Sequence, residues 1–439
     1  MSILDENNFN KLIKRNKFFF NNENFKREHN IKITRNDELN IILINEIIEE
    51  PNINVNLEKL KSIDSMELRD ELGRIYEFKN IHFYSQSIQS NKFRNKVNIE
   101  AYVQSIAWSN KNFEKSEYII EHIDNIPINH ILPDAIQKKT INKSSIRIGN
   151  IEIKKEQPIF GGGSDGLILN IDNQEIYLIR NEEKSKKEYT DGFILYKGTP
   201  SEKLRDKFRN IISFFIGRIF ILLEESFYDI DWNLISLKAF SPKKLMNGRA
   251  FKINTILPIQ YDYIIDLKRF SKHCNSLYEK YDLFDFSHLS WLYWHAQCSA
   301  LHTKCGEFGA TIEALQKAYI DNNTSDWTNS IIEKKKFRKL REEIIKVIDE
   351  LDVKEEEKKI LKDKLGSLNK LSQKMTLEKL FKHLQYSINE DELKAWEARN
   401  TSAHGKKDEN YSIEKTIKDV NLLQGIFFKL IRLIANIDK

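Results

Sequence analysis

Cysteine is scarce: Cys274, Cys298 and Cys305 are the only three in 439 residues. They are too few and too clustered to staple a chain this long, and an odd number cannot pair completely within one chain, so a reducing cytoplasm is expected. Long apolar runs are missing too. The most hydrophobic stretch, Ile211 to Leu223, is interrupted by Arg218, whereas a bilayer span needs about 20 nearly uninterrupted apolar residues, so no membrane partner is expected. Met1 to Phe20 mixes Asp, Glu, Lys and Asn ahead of Phe18 to Phe20 and lacks the apolar centre of a secretory signal. Net charge is small as well. Lys and Arg number 70 against 65 Asp and Glu, leaving +5, so charge alone does not announce a nucleic-acid binder and any such function must reside in a site. Repeats at solenoid periods and low-complexity linkers are absent.

What is present specifies a globular chain: 40% hydrophobic residues can bury substantial apolar surface and 31% charged residues can cover the rest. The length exceeds one hydrophobic core and predicts two domains or three. The expected class is α+β, with a strand-rich N-terminal domain over 1–258 followed by an all-α helical bundle over 259–439. Tyr118 to Leu132, Ser145 to Ile159, Gly166 to Arg180 and Gly192 to Lys197 alternate apolar and polar positions, with turns expected at Gly149-Asn150 and Asp172-Asn173. Ser201 is a suitable N-cap for an amphipathic helix over Glu202 to Glu225 that would pack on the sheet. Asp231 to Leu257 is strand-like again, and a boundary is expected near Pro258.

Beyond it the pattern is helical. Tyr261 to Tyr281 is one segment, and Ser287 is read as the cap of a second that Gly306 and Gly309 interrupt. Ile332 to Leu351 repeats Phe337, Leu340, Ile344, Ile348 and Leu351 at helical steps, Leu377 to Leu384 follows suit, and Ile413, Ile417, Val420, Phe427, Ile431 and Ile434 mark a long last helix.

Three signals compete for chemistry. His295, Cys298, His302 and Cys305 fall on one face if the helix is continuous, but they then span about 15 Å and cannot all reach one tetrahedral ion, which favours a core face over a zinc site. Gly161-Gly162-Gly163-Ser164-Asp165-Gly166 is followed by strand-like sequence and lacks the Gly-Lys-Ser or Gly-Lys-Thr end of a P-loop, so a hairpin connection is expected. Lys334, Lys335, Lys336, Arg338, Lys339 and Arg341 form the densest basic segment; it is either a solvated helix face or a contact for an RNA backbone.

The fourth signal lies just before the last helix, in Trp396-Glu397-Ala398-Arg399-Asn400-Thr401-Ser402-Ala403-His404-Gly405. Asn389 can cap the helix entering it. On a regular helix, five residues set Arg399 and His404 about 140° and about 7.5 Å apart, so they cannot grip one phosphate together. Convergence needs an unwound turn at Thr401 and Ser402, or a second copy of the motif from a partner chain. Asn400 and His404 would share a face, where the amide can orient the imidazole. The structural alternative makes Arg399 a cation meeting the helix dipole and His404 an ordinary terminal residue.

The run Arg399, Asn400, His404 and Gly405, set late in a helical bundle and followed by a last amphipathic helix, resembles the HEPN superfamily of ribonucleases. Its position at the end of the chain, behind a strand-rich domain, is most similar to the Apea-like HEPN branch of bacterial anti-phage defence proteins. The resemblance implies a homodimer whose two motif copies build one composite site that cuts RNA without a metal or cofactor. Arg399, Asn400 and His404 are then the catalytic candidates, with Glu313 and Glu397 as further acidic candidates by position. An imidazole can move the 2′-hydroxyl and leaving-group protons near neutral pH, and a guanidinium matches the charge gathering on the phosphorane. The implied products are a 2′,3′-cyclic phosphate and a 5′-hydroxyl on transfer or messenger RNA. The N-terminal domain would sense a phage-encoded trigger or restrain the nuclease in abortive infection. A non-catalytic RNA- or protein-binding dimerisation module, acting as antitoxin or scaffold, is the alternative.

Overall fold

The computed structural model describes residues 8–13, 18–20, 29–49, 62–90, 95–110, 116–126, 134–136, 139–148, 151–160, 164–180, 192–242, 265–323, 327–328, 330–403 and 412–437. The chain divides into two compact units, Met1–Tyr278 and Glu279–Lys439. Strands dominate the first and helices make up the second, which is the expected order.

The strands of the first unit are β1 (Phe18–Phe20), β2 (His29–Arg35), β3 (Ile41–Glu49), β4 (Ser62–Asp70), β5 (Ile75–Ser90), β6 (Asn95–Ser109), β7 (Tyr118–Asp124) and β8 (Asp134–Ile136). They continue with β9 (Lys139–Ile148), β10 (Ile151–Phe160), β11 (Ser164–Ile171), β12 (Gln174–Arg180), β13 (Gly192–Lys197), β14 (Ile221–Tyr228) and β15 (Leu234–Phe240). Thirteen form one sheet in the order β1-β4-β5-β6-β15-β14-β7-β13-β12-β11-β8, with β2 paired to β3 and β3 to β6. Three helices belong to this part of the chain: α1 (Asn8–Ile13), α2 (Glu202–Ile216) and α3 (Leu267–Lys280).

Local chemistry accounts for the turns. Asp172 and Asn173 join β11 to β12 with φ of 51° and 58°, a left-handed pair that suits Asp and Asn and matches the twist of a hairpin. Ile148 opposes Ile151 in the β9-β10 ribbon, so that connection falls at 149–150, where the phase of the alternation changes. Among the described residues β10 pairs with β9, while β11 pairs with β12 and β8, so the strands on either side of the glycine-rich run do not form the expected hairpin. Residues 161–163 lie outside the described residues.

Helix α2 starts as expected, with Ser201 Oγ accepting from the Leu204 N–H at 3.3 Å. It stops earlier than expected. Gly217 adopts φ 72°, a left-handed cap that costs a residue without Cβ little, and Ile221 to Glu225 then enters β14 instead of extending the helix. Its buried face carries Phe208, Ile211, Ile212 and Phe215 onto the sheet and α3, with Tyr196 and Phe208 rings 6.4 Å apart and Phe215 and Phe270 rings 6.2 Å apart. Thus α3, which the sequence pattern assigns to the helical part, packs on the first unit; Pro258 itself lies outside the described residues.

Two carboxylates sit under α2. Glu121 of β7 stands directly opposite Glu225 of β14, a juxtaposition that repels unless a cation intervenes. Arg205 of α2 intervenes, its Nε donating to Glu121 at 2.8 Å and its Nη2 to Glu225 at 2.8 Å, while Arg209 Nη1 reaches Glu121 at 2.6 Å. Glu121, Glu225 and Arg205 are buried and Arg209 is half-buried, and α2 is thereby fixed in register on the sheet.

The second unit contains α4 (Phe286–Cys298), α5 (Leu301–Asn322), α6 (Lys334–Glu350), α7 (Glu355–Leu365), α8 (Gln373–His383), α9 (Glu390–Ala403) and α10 (Ile413–Ile434). Helix α5 packs against α4, α9 and α10. Tyr293 stacks on Phe427 at 5.5 Å and its hydroxyl accepts from Gln424 at 3.2 Å, joining α4 to α10. Two expectations need correction. The break in the α4-α5 segment comes at Ser299-Ala300, and α5 runs through Gly306 and Gly309, because packing on three neighbours outweighs the low helix propensity of glycine. The N-cap of α4 is Asp285 rather than Ser287.

Candidate functional site

Helix α9 carries Arg399. Its entry is locked by a reciprocal cap in which Asn389 Oδ1 accepts from the Glu392 N–H at 2.9 Å and Glu392 Oε2 accepts from the Asn389 N–H at 3.0 Å. Glu392 is buried and also pairs with Lys429 of α10, so the start of α9 is tied to the last helix. Trp396, 1% exposed, anchors the middle of α9 in the core.

Arg399 lies one turn further on. Its guanidinium sits 3.9 Å from the centre of the Trp396 ring and its Nη1 pairs with Glu313 of α5. Gly309, one turn before Glu313, makes room for it: a Cβ there would stand 2.7 Å from Arg399 Cδ. The side chain is only 12% exposed, and its Nε has no hydrogen-bond partner. Glu313, Trp396 and Gly309 therefore define a socket that holds one guanidinium in one pose, with donor capacity unspent.

Of the other catalytic candidates, Asn400 is placed on α9 by its backbone, and His404 lies outside the described residues, as does Gly405. Helix α9 remains regular through Thr401 and Ser402 to Ala403, so the unwound turn is not found there. Glu397, the second acidic candidate, pairs with Lys374 of α8 at 2.7 Å.

Lys334, Lys335, Lys336, Arg338, Lys339 and Arg341 are all exposed on the first half of α6. Lys336 approaches Glu333 at 3.6 Å and Arg338 approaches Glu342 at 3.9 Å. Such exposed pairs stabilise little and leave the basic surface available. The apolar stripe expected to bury α6 is covered only in part: Ile348 is buried and Phe337 and Ile344 are half-buried, while Leu340 and Leu351 are 48% and 41% exposed, with Val347 beside them at 60%.

Cys298 closes α4 and Cys305 lies on α5, so the break between these helices interrupts the His295, Cys298, His302, Cys305 face. Among the described residues no group of His, Cys, Asp and Glu is arranged for a metal ion. Burial pushes the thiols of both Cys298 and Cys305 up to about 11, which keeps them protonated and poor nucleophiles at neutral pH. Also among the described residues, no helix is long and apolar enough to cross a membrane.

Two features escape sequence inspection. One is the Glu121, Arg205, Arg209, Glu225 cluster, signalled only by charged positions inside otherwise apolar segments. The other is a cavity of about 1220 Å³ in the second unit, walled by α5, the start of α6 and the segment leading into α8, with Glu313 on its lining. Gln316 faces it from a position midway between Ile312 and Ile320, where the helical pattern asks for an apolar residue. Compared with protein-family models, curated proteins and solved structures, this chain matches none of them.

Proposed function

We propose that the helical unit is a metal-independent endoribonuclease of HEPN type, acting as a cytoplasmic homodimer in anti-phage defence, with the strand-rich unit sensing a trigger or restraining it. The observation that carries this reading is the Arg399 socket. A guanidinium is held by Trp396, Glu313 and the gap at Gly309, with unspent donors, five residues before a histidine. Because α9 stays helical to Ala403, the second copy is the favoured route to bringing cation and imidazole together. In that arrangement the 2′-hydroxyl of RNA is the nucleophile, His404 of each subunit moves a proton, and Arg399 meets the phosphorane. The deciding assay incubates purified protein with transfer and messenger RNA in chelator. Cleavage leaving 2′,3′-cyclic phosphate and 5′-hydroxyl ends, with DNA untouched, is expected; no cleavage, or cleavage abolished by the chelator, would remove the reading.

A methyl group in the socket tests its geometry. Gly309→Ala is expected to displace the guanidinium and lower the cleavage rate at least about tenfold, since an ångström of misplacement at a reacting centre costs up to about 10². An unchanged rate would show that the socket does not serve cleavage.

The partner surface is supported by α6. Its first half carries Lys334 to Arg341 and its second half carries Glu342, Glu343, Asp349 and Glu350, so two copies laid antiparallel about a two-fold axis set basic against acidic halves over the exposed Leu340 and Val347. Phe337 and Lys334 of α6 line the same cavity as Glu313, so the start of α6 lies near the residue that pairs with Arg399. Val347→Glu is expected to convert a dimer to a monomer by light scattering, and a wild-type monomer at every accessible concentration would exclude the arrangement.

The pairing of Arg399 with Glu313 favours one other reading, a binding or dimerisation module that grips RNA or protein without cutting. Binding of RNA with no product under any buffer condition would select it.

A further inference from the structure

Strand β5 outruns one of its neighbours. It pairs with β6 from Glu77 to Ser90, but with β4 only as far as His82, which stands opposite Ser62 at the start of β4. Among the described residues, no strand lies beside 83–90 on the side away from β6. In an antiparallel ladder every second residue turns its N–H and C=O away from the partner it has. This segment therefore presents a row of donors and acceptors whose complement is another extended backbone. Tyr84 to Gln89 are exposed without interruption, on both faces of the sheet.

Proteins blunt such an edge with charge, proline or a bulge. The run Phe83-Tyr84-Ser85-Gln86-Ser87-Ile88-Gln89-Ser90 contains no charged residue and no proline. Its bulge, between Phe83 and Ser85, lies at the start, where the Tyr84 hydroxyl donates to Glu100 at 2.7 Å and the ring stacks on Tyr102. From Ser85 onward the register against β6 is regular. Ile88, 56% exposed, stands opposite Val97, which is 2% exposed and clusters with Ile47 and Ile99. An apolar row thus runs outward across β6 and ends at an uncovered isoleucine on the edge.

We propose that this edge docks on the same edge of a second copy, antiparallel about a two-fold axis through Ile88. Such an axis, perpendicular to the sheet, keeps each side chain on its own face, so the two Ile88 side chains oppose each other and Ser87 of each copy opposes Gln89 of the other. Centring on Ile88 covers each isoleucine with its equivalent, a β-branched cross-strand pair that carries the apolar row through the seam. The segment brings no charge to the seam, so nothing in it repels a second copy. A few paired residues bury less than the roughly 1,200 Å² of a stable complex, so the contact is weak alone. Its strength comes from repetition. The homodimer proposed above, on which the size of the assembly rests, presents two such edges, and the contact then joins dimers rather than making them.

Cross-linking the purified full chain reads the seam directly. Under mild oxidant, Ile88→Cys is expected to give a covalent pair whose link maps to position 88 by peptide mass spectrometry, since directly opposed Cα atoms lie about 4.5–5.5 Å apart, within disulfide reach. Ser87→Cys is expected not to link, because its two copies are offset by two residues along the strands and lie beyond about 7 Å. Ile88→Lys sets two ammonium groups face to face at an exposed position. It is expected to leave the melting temperature unchanged and to remove the species larger than a dimer that wild type and Ile88→Val show in sedimentation velocity. Val347→Glu separates this contact from the one on α6: it should abolish the α6 dimer while the link in Ile88→Cys persists. No link in Ile88→Cys, equal linking in Ser87→Cys, or larger species that survive Ile88→Lys would overturn the pairing. A link from position 88 to a different, copurifying polypeptide would give the edge to another protein's strand and equally overturn it.

Discussion

Replacing Arg205 by Met is expected to destabilise the first unit by about 3–5 kcal/mol, the range found when one partner of a buried ion pair is removed and the other stays. Glu225 is the residue left exposed to that loss. Arg209 continues to neutralise Glu121, while Glu225, opposite Glu121 on the neighbouring strand, loses its 2.8 Å contact with Arg205. The pH dependence carries the signature. Burial pushes the Glu225 carboxyl above its ordinary value of 4.5, with Arg205 countering only in part. Burial also pushes Glu121 up, but Arg209 and Arg205 outweigh it and hold that carboxyl below 4.5. In the wild type, Glu121 therefore contributes stability that is present above pH 4.5 and lost as pH falls through its folded value. Glu225 works in the opposite sense, favouring the fold below pH 4.5 and less so as pH rises through its elevated value. Loss of Arg205 moves both folded values upward. The deficit should thus be greatest near neutrality and shrink as pH falls toward 4.5. Urea unfolding of Arg205→Met across that range measures it, and adding Glu225→Gln should restore much of the lost stability. A deficit under about 1 kcal/mol, or one independent of pH, would mean that the cluster is not held as described.

The second large effect concerns Arg399. Under the proposed ribonuclease mechanism, Arg399→Ala is expected to lower RNA cleavage by about 10²–10³, the usual consequence of deleting one donor aimed at developing negative charge. Arg399→Lys should lose most of the same activity, because an ammonium keeps the charge and forfeits the planar fork and the stacking on Trp396. The stability change should be modest, about 0.5–1 kcal/mol, since Glu313 is partly solvated and is not stranded in the core. His404→Ala should reduce cleavage by about 10²–10⁴ through loss of proton transfer. The separation of a large rate effect from a small stability effect is what distinguishes a group that meets substrate from one that merely ends a helix. Parallel loss of both quantities in Arg399→Ala, or full activity in Arg399→Lys, would assign Arg399 to the fold.

How far residues announce their surroundings varied with the range of the interaction. The caps at Ser201 and Asn389 were readable because a short polar side chain and its helix are separated by three residues, and both caps form. The Asp172-Asn173 turn was readable for the same reason. The end of α2 was missed: Gly217 supplies the cap, but apolar residues continue on both sides of Gly217-Arg218, and pairing of β14 with β7 and β15 is what makes the second run extended. The stripe on α6 has the periodicity of a core helix and yet is covered only in part, since periodicity records which face seeks burial and not whether a partner within the chain supplies it. Gly309 looked like a helix breaker; what it does is leave space for a side chain that lies ninety residues later in sequence.

By itself the sequence determined the order of strand-rich and helical parts, the caps at Ser201 and Asn389 and the turn at Asp172-Asn173. These follow from side-chain types acting over a few residues, where covalent connection fixes geometry. Only the tertiary structure decided that Arg399 pairs with Glu313, that Arg205 bridges two opposed carboxylates, and that Gln316 is buried with its amide unpaired. Each of these joins groups distant along the chain or sets a polar group in a wall, and such encounters depend on how helices and strands pack.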